Sequence, residues 1–354
     1  MSKLNKIENS LLIIDCQEDF YDKEETFTRL NSIPSSGLPV QGASEDGQRI
    51  IQMLLEDIER FQKTNNAYYS QVNFTLDTHL HTHIGHTGAW IRKDGEPVEP
   101  GVIFKLNDDE TEVMNATQVG DKEPGTIIYR AAEPCLQSWN VEYVKQMINE
   151  KKISPLIWNT HCICETKGWC IESKLWKTAV KWSLITNGKI FLHEKGENPL
   201  CEMYSVMKAT IPYEEMIKIF DIAKQKKIIN CINLPSTKAA FPEIKPYQHG
   251  ENRNFSTRFN EPLFKHLCGT PKKQKRLHIV GQAKSHCVNF STRDILERIE
   301  ELGMRTNLVV LLENMMSNVV LPDSVPNSAC LNKIFKEDGE TFINDMKKKG
   351  VIVM

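Results

Sequence analysis

The chain has 354 residues, 40% hydrophobic and 25% charged, and its 44 Lys+Arg against 46 Asp+Glu leave a formal net charge of −2. This is ordinary globular usage with no global basic field, so neither nucleic acid nor a membrane surface is expected as a partner, and small neutral or mixed substrates fit better. The first apolar run, Leu11 to Ile14, is too short for a signal-peptide core or a membrane span, and the chain reads as soluble and cytoplasmic.

In chain order, Leu11 to Ile14 is a candidate buried strand, and Thr26 to Gly47, rich in Ser, Pro and Gly, reads as an insertion. Helical periodicity follows over Gly47 to Thr64, then an apolar strand over Val72 to Leu76. Gly85 to Thr126 mixes Gly, Pro and acidic residues without clean periodicity and reads as a long surface insertion, extending to about residue 150. Candidate strands Pro155 to Trp158 and Lys189 to Leu192 flank a helical pattern over Cys170 to Trp182, and another helix is expected over Tyr213 to Lys226. Ser236 to Arg258 is interrupted by Pro242, Pro246 and Gly250, giving a third insertion near 236–258. Strands over Leu277 to Val280 and Leu308 to Leu312 alternate with helices over Cys287 to Leu302 and Asn332 to Lys348. Such alternation predicts an α/β fold with a mainly parallel sheet and helices on both faces, in one domain spanning 1–354 with insertions. The ten cysteines lack compact disulfide spacing, which suits free thiols in a reducing compartment.

Ligands of such sheets bind outside the carboxyl ends of the strands, so the residues directly after the apolar runs carry the interest: Asp15, Asp77, His79, His161, Lys195 and Cys287. Cys287 stands near the start of a helix, where unpaired amides and the helix dipole lower a thiol pKa. Those amides, with that of Ala283, could hold an oxyanion. Taken alone, Cys287 reads more readily as a buried structural cysteine. Asp15 could take the thiol proton and later activate water, or simply cap a turn; Lys195 could balance the thiolate, or sit in a solvated turn before Gly196. Asp77, His79 and His161 offer a carboxylate and two imidazoles to a divalent metal, although His79, His81, His83 and His86 read equally as an exposed polar loop. Pro271 to Arg276, PKKQKR, has the look of an import signal and, more simply, of a solvated loop before a strand.

Together, DCQEDF, DTH, WNTHC, KGENPLCEMYS and GQAKSHCV resemble, in order, the motifs of the isochorismatase-like cysteine hydrolases, most closely the metal-containing nicotinamidase branch, with long insertions here. The resemblance implies a Rossmann-like, six-stranded parallel sheet and a triad of Asp15, Lys195 and Cys287, with the amides of Ala283 and Cys287 as oxyanion hole. It implies Phe20, Trp158 and Tyr204 in the substrate pocket, and Asp77, His79 and His161 as metal ligands, with His83 further along the metal loop. The implied cofactor is a divalent ion, zinc or else iron or manganese, and the implied reaction converts nicotinamide to nicotinate and ammonia through a thioester. A homo-oligomer is compatible with this reading. Thr78, Met207 and Ser285 depart from the family pattern and point to a reshaped pocket. The alternatives are hydrolysis of another small carboxamide or carbamoyl compound, or a catalytically silent binding protein.

Overall fold

The computed structural model describes residues 7–23, 37–149, 154–232 and 256–354. In chain order its main elements are β1 (Asn9–Ile14), α1 (Ala43–Thr64), β2 (Gln71–Asp77), β3 (Trp90–Arg92), β4 (Phe104–Leu106), β5 (Val113–Asn115), β6 (Ile128–Ala131) and α2 (Gln137–Asn149). There follow α3 (Ser173–Thr186), β7 (Lys189–Lys195), α4 (Ile222–Ile232), α5 (Glu261–Cys268), β8 (Arg276–Gly281), α6 (Asn289–Glu301), β9 (Val309–Leu311), α7 (Ser328–Lys348) and β10 (Ile352–Val353).

Strand β1 is apolar on both sides because both sides are covered. Leu11 and Ile13 pack with Leu54 of α1 and Trp182 of α3, while Leu12 and Ile14 pack with Phe264 of α5, Ile295 of α6 and Phe342 of α7. Side chains two apart share a face, so an unbroken apolar run needs a helical layer on each side. The resulting six-stranded sheet is parallel throughout, in the order β10-β9-β8-β1-β2-β7. The expected α/β architecture is therefore present. Its strand order reverses between β1 and β8, which opens a crevice at their carboxyl ends.

Several expectations are corrected. Pro155 to Trp158 is not a strand of the sheet: Leu156 and Trp158 make only isolated bridges, to Ile103 and His86. Helix α1 starts at Ala43 rather than Gly47, because the Asp22 carboxylate accepts from the Gly42 and Ser44 amides at 2.8 Å each and terminates the helix from outside. The pattern over Tyr213 to Lys226 splits into a short turn, Tyr213–Met216, and α4, whose start is capped by Asp221 Oδ1 accepting from Lys224 N at 2.8 Å. The segment from Gly85 to Thr126 is not a surface excursion. Strands β3 to β6 form an antiparallel sheet, in the order β3-β6-β5-β4. Phe104, Tyr129, Trp139 and Tyr143 fill a core beneath it. Cys135 and Cys231 form a disulfide, joining the turn before α2 to the end of α4, so the expectation that all thiols are free fails.

Pro271 to Arg276 forms part of a two-residue hairpin and the first residue of β8. Residues 26–36 and 236–255 of the expected insertions lie outside the described residues. Among the described residues no helix is long and apolar enough to cross a membrane.

Candidate active site

The first strand ends by delivering a carboxylate. Asp15 directly follows β1 with φ 47°, and Thr75 of β2 secures it, its hydroxyl donating to Asp15 Oδ1 at 2.5 Å while accepting from the Asp15 amide at 3.0 Å. Lys195, the last residue of β7, extends its ammonium across the sheet edge to Asp15 Oδ2 at 3.0 Å and Asp77 Oδ1 at 2.9 Å. The same nitrogen lies 3.6 Å from Cys287 Sγ. The structure thus brings Asp15, Lys195 and Cys287 together, all buried.

Burying one cation with two carboxylates leaves an excess negative charge out of water, and this shapes every protonation state nearby. Burial opposes the Lys195 ammonium, but Asp15 and Asp77 hold its pKa well above the usual lysine range. Burial pushes the Asp15 carboxyl up against the pull of Lys195. Burial also pushes the Cys287 thiol well up, outweighing Lys195. Burial thus favours the Cys287 thiol, whereas the helix dipole alone would favour the thiolate. A π-helical turn, Lys284–Val288, places Cys287 ahead of α6, not at its first amides.

The imidazoles sort themselves by their hydrogen bonds. His79, His83 and His86 are buried, which removes the exposed-loop reading for these three. His83 is satisfied as a neutral ring: Nε2 donates to the Cys201 carbonyl at 3.0 Å and Nδ1 accepts from Gly85 N at 3.2 Å. It has no nitrogen left for a metal. His79 Nδ1 faces the Gly196 carbonyl at 3.2 Å and His161 Nδ1 faces the Asn159 carbonyl at 2.7 Å; carbonyls only accept, so both rings carry their proton on Nδ1. Their Nε2 lone pairs then point at Asp77, at 3.0 Å from Oδ1 and 3.7 Å from Oδ2. Lone pairs facing a carboxylate require a proton or a cation between them. The ring of His86 lies 4.6 Å from that of His161 and 4.7 Å from that of His79, and among the described residues neither of its nitrogens has a hydrogen-bond partner. Burial holds its pKa well down, so it is a neutral ring. One nitrogen from each of His79, His86 and His161 lies within 4.8 Å of the others. The donor set fits a divalent transition metal, with Asp77 beside it.

Glycines allow this crowding. A Cβ on Gly196, at φ 77°, would come within 2.7 Å of the His79 ring, and one on Gly85 within 2.1 Å of Glu202 Oε2. Gln17 locks the end of β2, its side chain donating to the Asp77 carbonyl at 2.8 Å and accepting from the Asp77 amide at 2.7 Å. Asp19, from the same DCQEDF stretch, accepts from the Cys162 amide at 2.8 Å and so holds the loop of His161 in place.

Phe20, Trp158 and Ala283 share one apolar cluster, against which Tyr204 packs. Trp158 Nε1 donates to Tyr204 Oη at 2.9 Å, which fixes the two rings edge to edge. Two further residues complete this wall. Phe335 of α7 lies 5.8 Å from Trp158, ring to ring, and His286 lies 5.2 Å from it. Burial lowers the His286 pKa to about 4, so its ring is neutral. Ser285 Oγ accepts from Val319 N at 3.3 Å and lies within hydrogen-bond distance, 2.9 Å, of His286 Nδ1. The departure at Ser285 thus places a hydroxyl against the His286 ring. That at Thr78 is filled by Trp169, whose Nε1 donates to Thr78 Oγ1 at 2.8 Å.

No family model matches the sequence, and no curated protein matches it. Solved structures align along nearly the whole chain. An Acinetobacter baumanii nicotinamidase and pyrazinamidase is 13% identical, with a TM-score of 0.46, over 99% of this chain and 97% of its own. The yeast nicotinamidase is 16% identical, with a TM-score of 0.46, over 98% and 99%. A Pyrococcus horikoshii pyrazinamidase in complex with zinc is 15% identical, with a TM-score of 0.37, over 98% of each chain. At such identities the chemistry has to be argued from this chain's own side chains.

Proposed function

We propose that this chain is a metal-dependent cysteine amidohydrolase that converts nicotinamide to nicotinate and ammonia, built as a single domain with long insertions. One observation carries the reading: a fully buried ammonium, Lys195, joins Asp15 and Cys287 at the sheet crevice and touches, through Asp77, a set of converging imidazoles. Structural cysteines do not come with such company. In the first stage Asp15 accepts the Cys287 proton as sulfur attacks the carboxamide carbon, and the amides of Ala283 and Cys287 receive the oxyanion. Asp15 then returns the proton to the leaving nitrogen, so ammonia departs and a thioester remains. In the second stage Asp15 takes a proton from water, the hydroxide attacks the thioester, and the acid leaves as the thiol is restored. Lys195 offsets the negative charge that develops on sulfur and oxygen.

His79, His86 and His161 with Asp77 would hold the divalent ion, zinc or else iron or manganese, which when bound supplies a Lewis-acidic point for a ring nitrogen of the substrate. Phe20 and Trp158 would flank the ring and Tyr204 would steady Trp158. A small amide is the partner under this reading, and a cytoplasmic setting would keep Cys287 reduced. The test is ammonia release from nicotinamide by metal-replete protein. Turnover is expected in the wild type, with an acyl adduct on Cys287 trapped by acid quench, and it disappears in Cys287→Ala. Retained turnover in that variant rejects the nucleophile.

A further inference from the structure

We propose that Asp46, in the first turn of α1, is a positioning residue that aims the oxyanion loop, a role that rests on the amidase reading. The Ala283 amide, one of the two oxyanion donors, is bracketed by hydrogen bonds on both sides. Before it, Gln282 N donates to the Ile14 carbonyl at 2.8 Å, which ties the loop to the residue preceding Asp15. After it, Lys284 N donates to the Ser317 carbonyl at 2.7 Å. Both brackets converge on a single carboxylate oxygen. Asp46 Oδ2 accepts from Gln282 Nε2 at 2.9 Å and from Ser317 Oγ at 2.6 Å. Gln282 closes the ring by accepting from Ser317 N at 3.3 Å through Oε1.

Asp46 and Gln282 are 2% and 0% exposed, so the bond between them is shielded from water, whereas Ser317 is half-buried. Without the Asp46 oxygen, the buried Gln282 amide and the half-buried Ser317 hydroxyl would lose their shared acceptor, which frees the segments that carry them to move. Those segments hold the Ala283 peptide. Asp46 reaches the Ala283 loop through Gln282 and Ser317, while its other oxygen, Oδ1, takes Arg49 Nη1 at 3.4 Å.

The experiment compares wild type, Asp46→Ala, Asp46→Asn and Ser317→Ala in four readouts. These are kcat and KM for nicotinamide, affinity for nicotinaldehyde, alkylation of Cys287 by iodoacetamide, and melting temperature. Nicotinaldehyde reports on the oxyanion donors because Cys287 sulfur bonds to its carbonyl carbon, the C=O π pair moves to oxygen, and Asp15 holds the thiol proton, which leaves a charged oxygen facing the donors. Alkylation forms a sulfur–carbon bond and expels iodide without an oxyanion.

Asp46→Ala is expected to lower kcat about tenfold, the scale of a misaimed donor, and to weaken the aldehyde by the same factor while KM and alkylation hold. Asp46→Asn is expected within twofold of wild type, because its one amide oxygen can accept both bonds. Ser317→Ala should fall between. Wild-type kcat and aldehyde affinity in Asp46→Ala overturn the proposal, as does an equal loss in Asp46→Asn, which would make helix charge the cause. If Asp46→Ala does not fold, Ser317→Ala decides: a lower kcat at an unchanged melting temperature supports the role, and wild-type kcat rejects it. If the wild type does not hydrolyse nicotinamide, that substrate reading fails, while the aldehyde series still judges Asp46.

Discussion

His83 and His86 are three positions apart in one loop, and their hydrogen bonds give them opposite duties. His83 spends both nitrogens on protein groups, whereas both nitrogens of His86 are free of partners among the described residues. His86→Ala is therefore expected to lower bound metal about tenfold to a hundredfold in affinity while leaving the melting temperature of the metal-free protein within a few degrees. His83→Ala should do the reverse, lowering the metal-free melting temperature through an unpaired Gly85 amide. Metal content by elemental analysis and melting of the chelated protein separate the two. Nothing in DTHLHTHIGH distinguishes these histidines, since the partners that decide them, Cys201 and His161, come from distant parts of the chain. Asp15, Lys195 and Cys287 were legible because Asp15 directly follows a strand, Lys195 ends one and Cys287 lies in the turn beyond a third, and parallel strands deliver their ends to one edge. The expected depressed thiol pKa was wrong because burial is a property of the assembled site, not of the local helix.

At the scale of elements, the insertion between β2 and α3 supports the KGENPLCEMYS loop that follows β7. Trp139 Nε1 of α2 donates to the Leu200 carbonyl at 3.0 Å, and Tyr143 Oη of the same helix accepts from Glu202 N at 2.8 Å. The loop after Lys195 thus leans on a helix that periodicity did not reveal. Trp139→Ala, which empties a fully buried site, is expected to cost about 3–5 kcal/mol in denaturant unfolding and to reduce amidase activity by loosening that loop. A destabilised variant with undiminished kcat would show that the insertion core and the site are independent. Strands β3 to β6 were not readable because runs of three or four residues carry too little alternation to register as a pattern. The long runs of β1, β2 and β8 were readable because both of their faces are buried.

For the whole molecule, two histidines away from the candidate site, the half-buried His193 and the buried His278, bear on acid stability. Burial lowers His193 of β7 to about 4 and His278 of β8 to about 4, from an ordinary value of 6.5. His193 Nε2 lies 3.1 Å from Asn73 Oδ1, and His278 Nδ1 lies 2.9 Å from Tyr69 Oη. In the unfolded chain both take up a proton near pH 6.5, whereas in the fold they do so only near 4. Their contribution is therefore fully present above pH 6.5 and is lost as the pH falls from there to 4. Each adds a slope of about 1.4 kcal/mol per pH unit across that window. Denaturant unfolding of His278→Gln should show a shallower acid limb than the wild type, and an unchanged slope would reject His278 as a contributor.

The sequence alone determined the alternation of strands and helices, and with it the parallel sheet and the edge at which Asp15, Lys195 and Cys287 meet. Apolar periodicity reports which backbone segments are buried, and the parallel rule then places their ends. Only the tertiary structure decided which histidines have free nitrogens, that Gly85 to Thr126 encloses a core, and that Cys135 meets Cys231. It also decided that Asp46 reaches the loop of Ala283. Each of these depends on a partner far away in the chain, and a hydrogen bond or a desolvation cost belongs to the pair and its surroundings rather than to either residue's local neighbours.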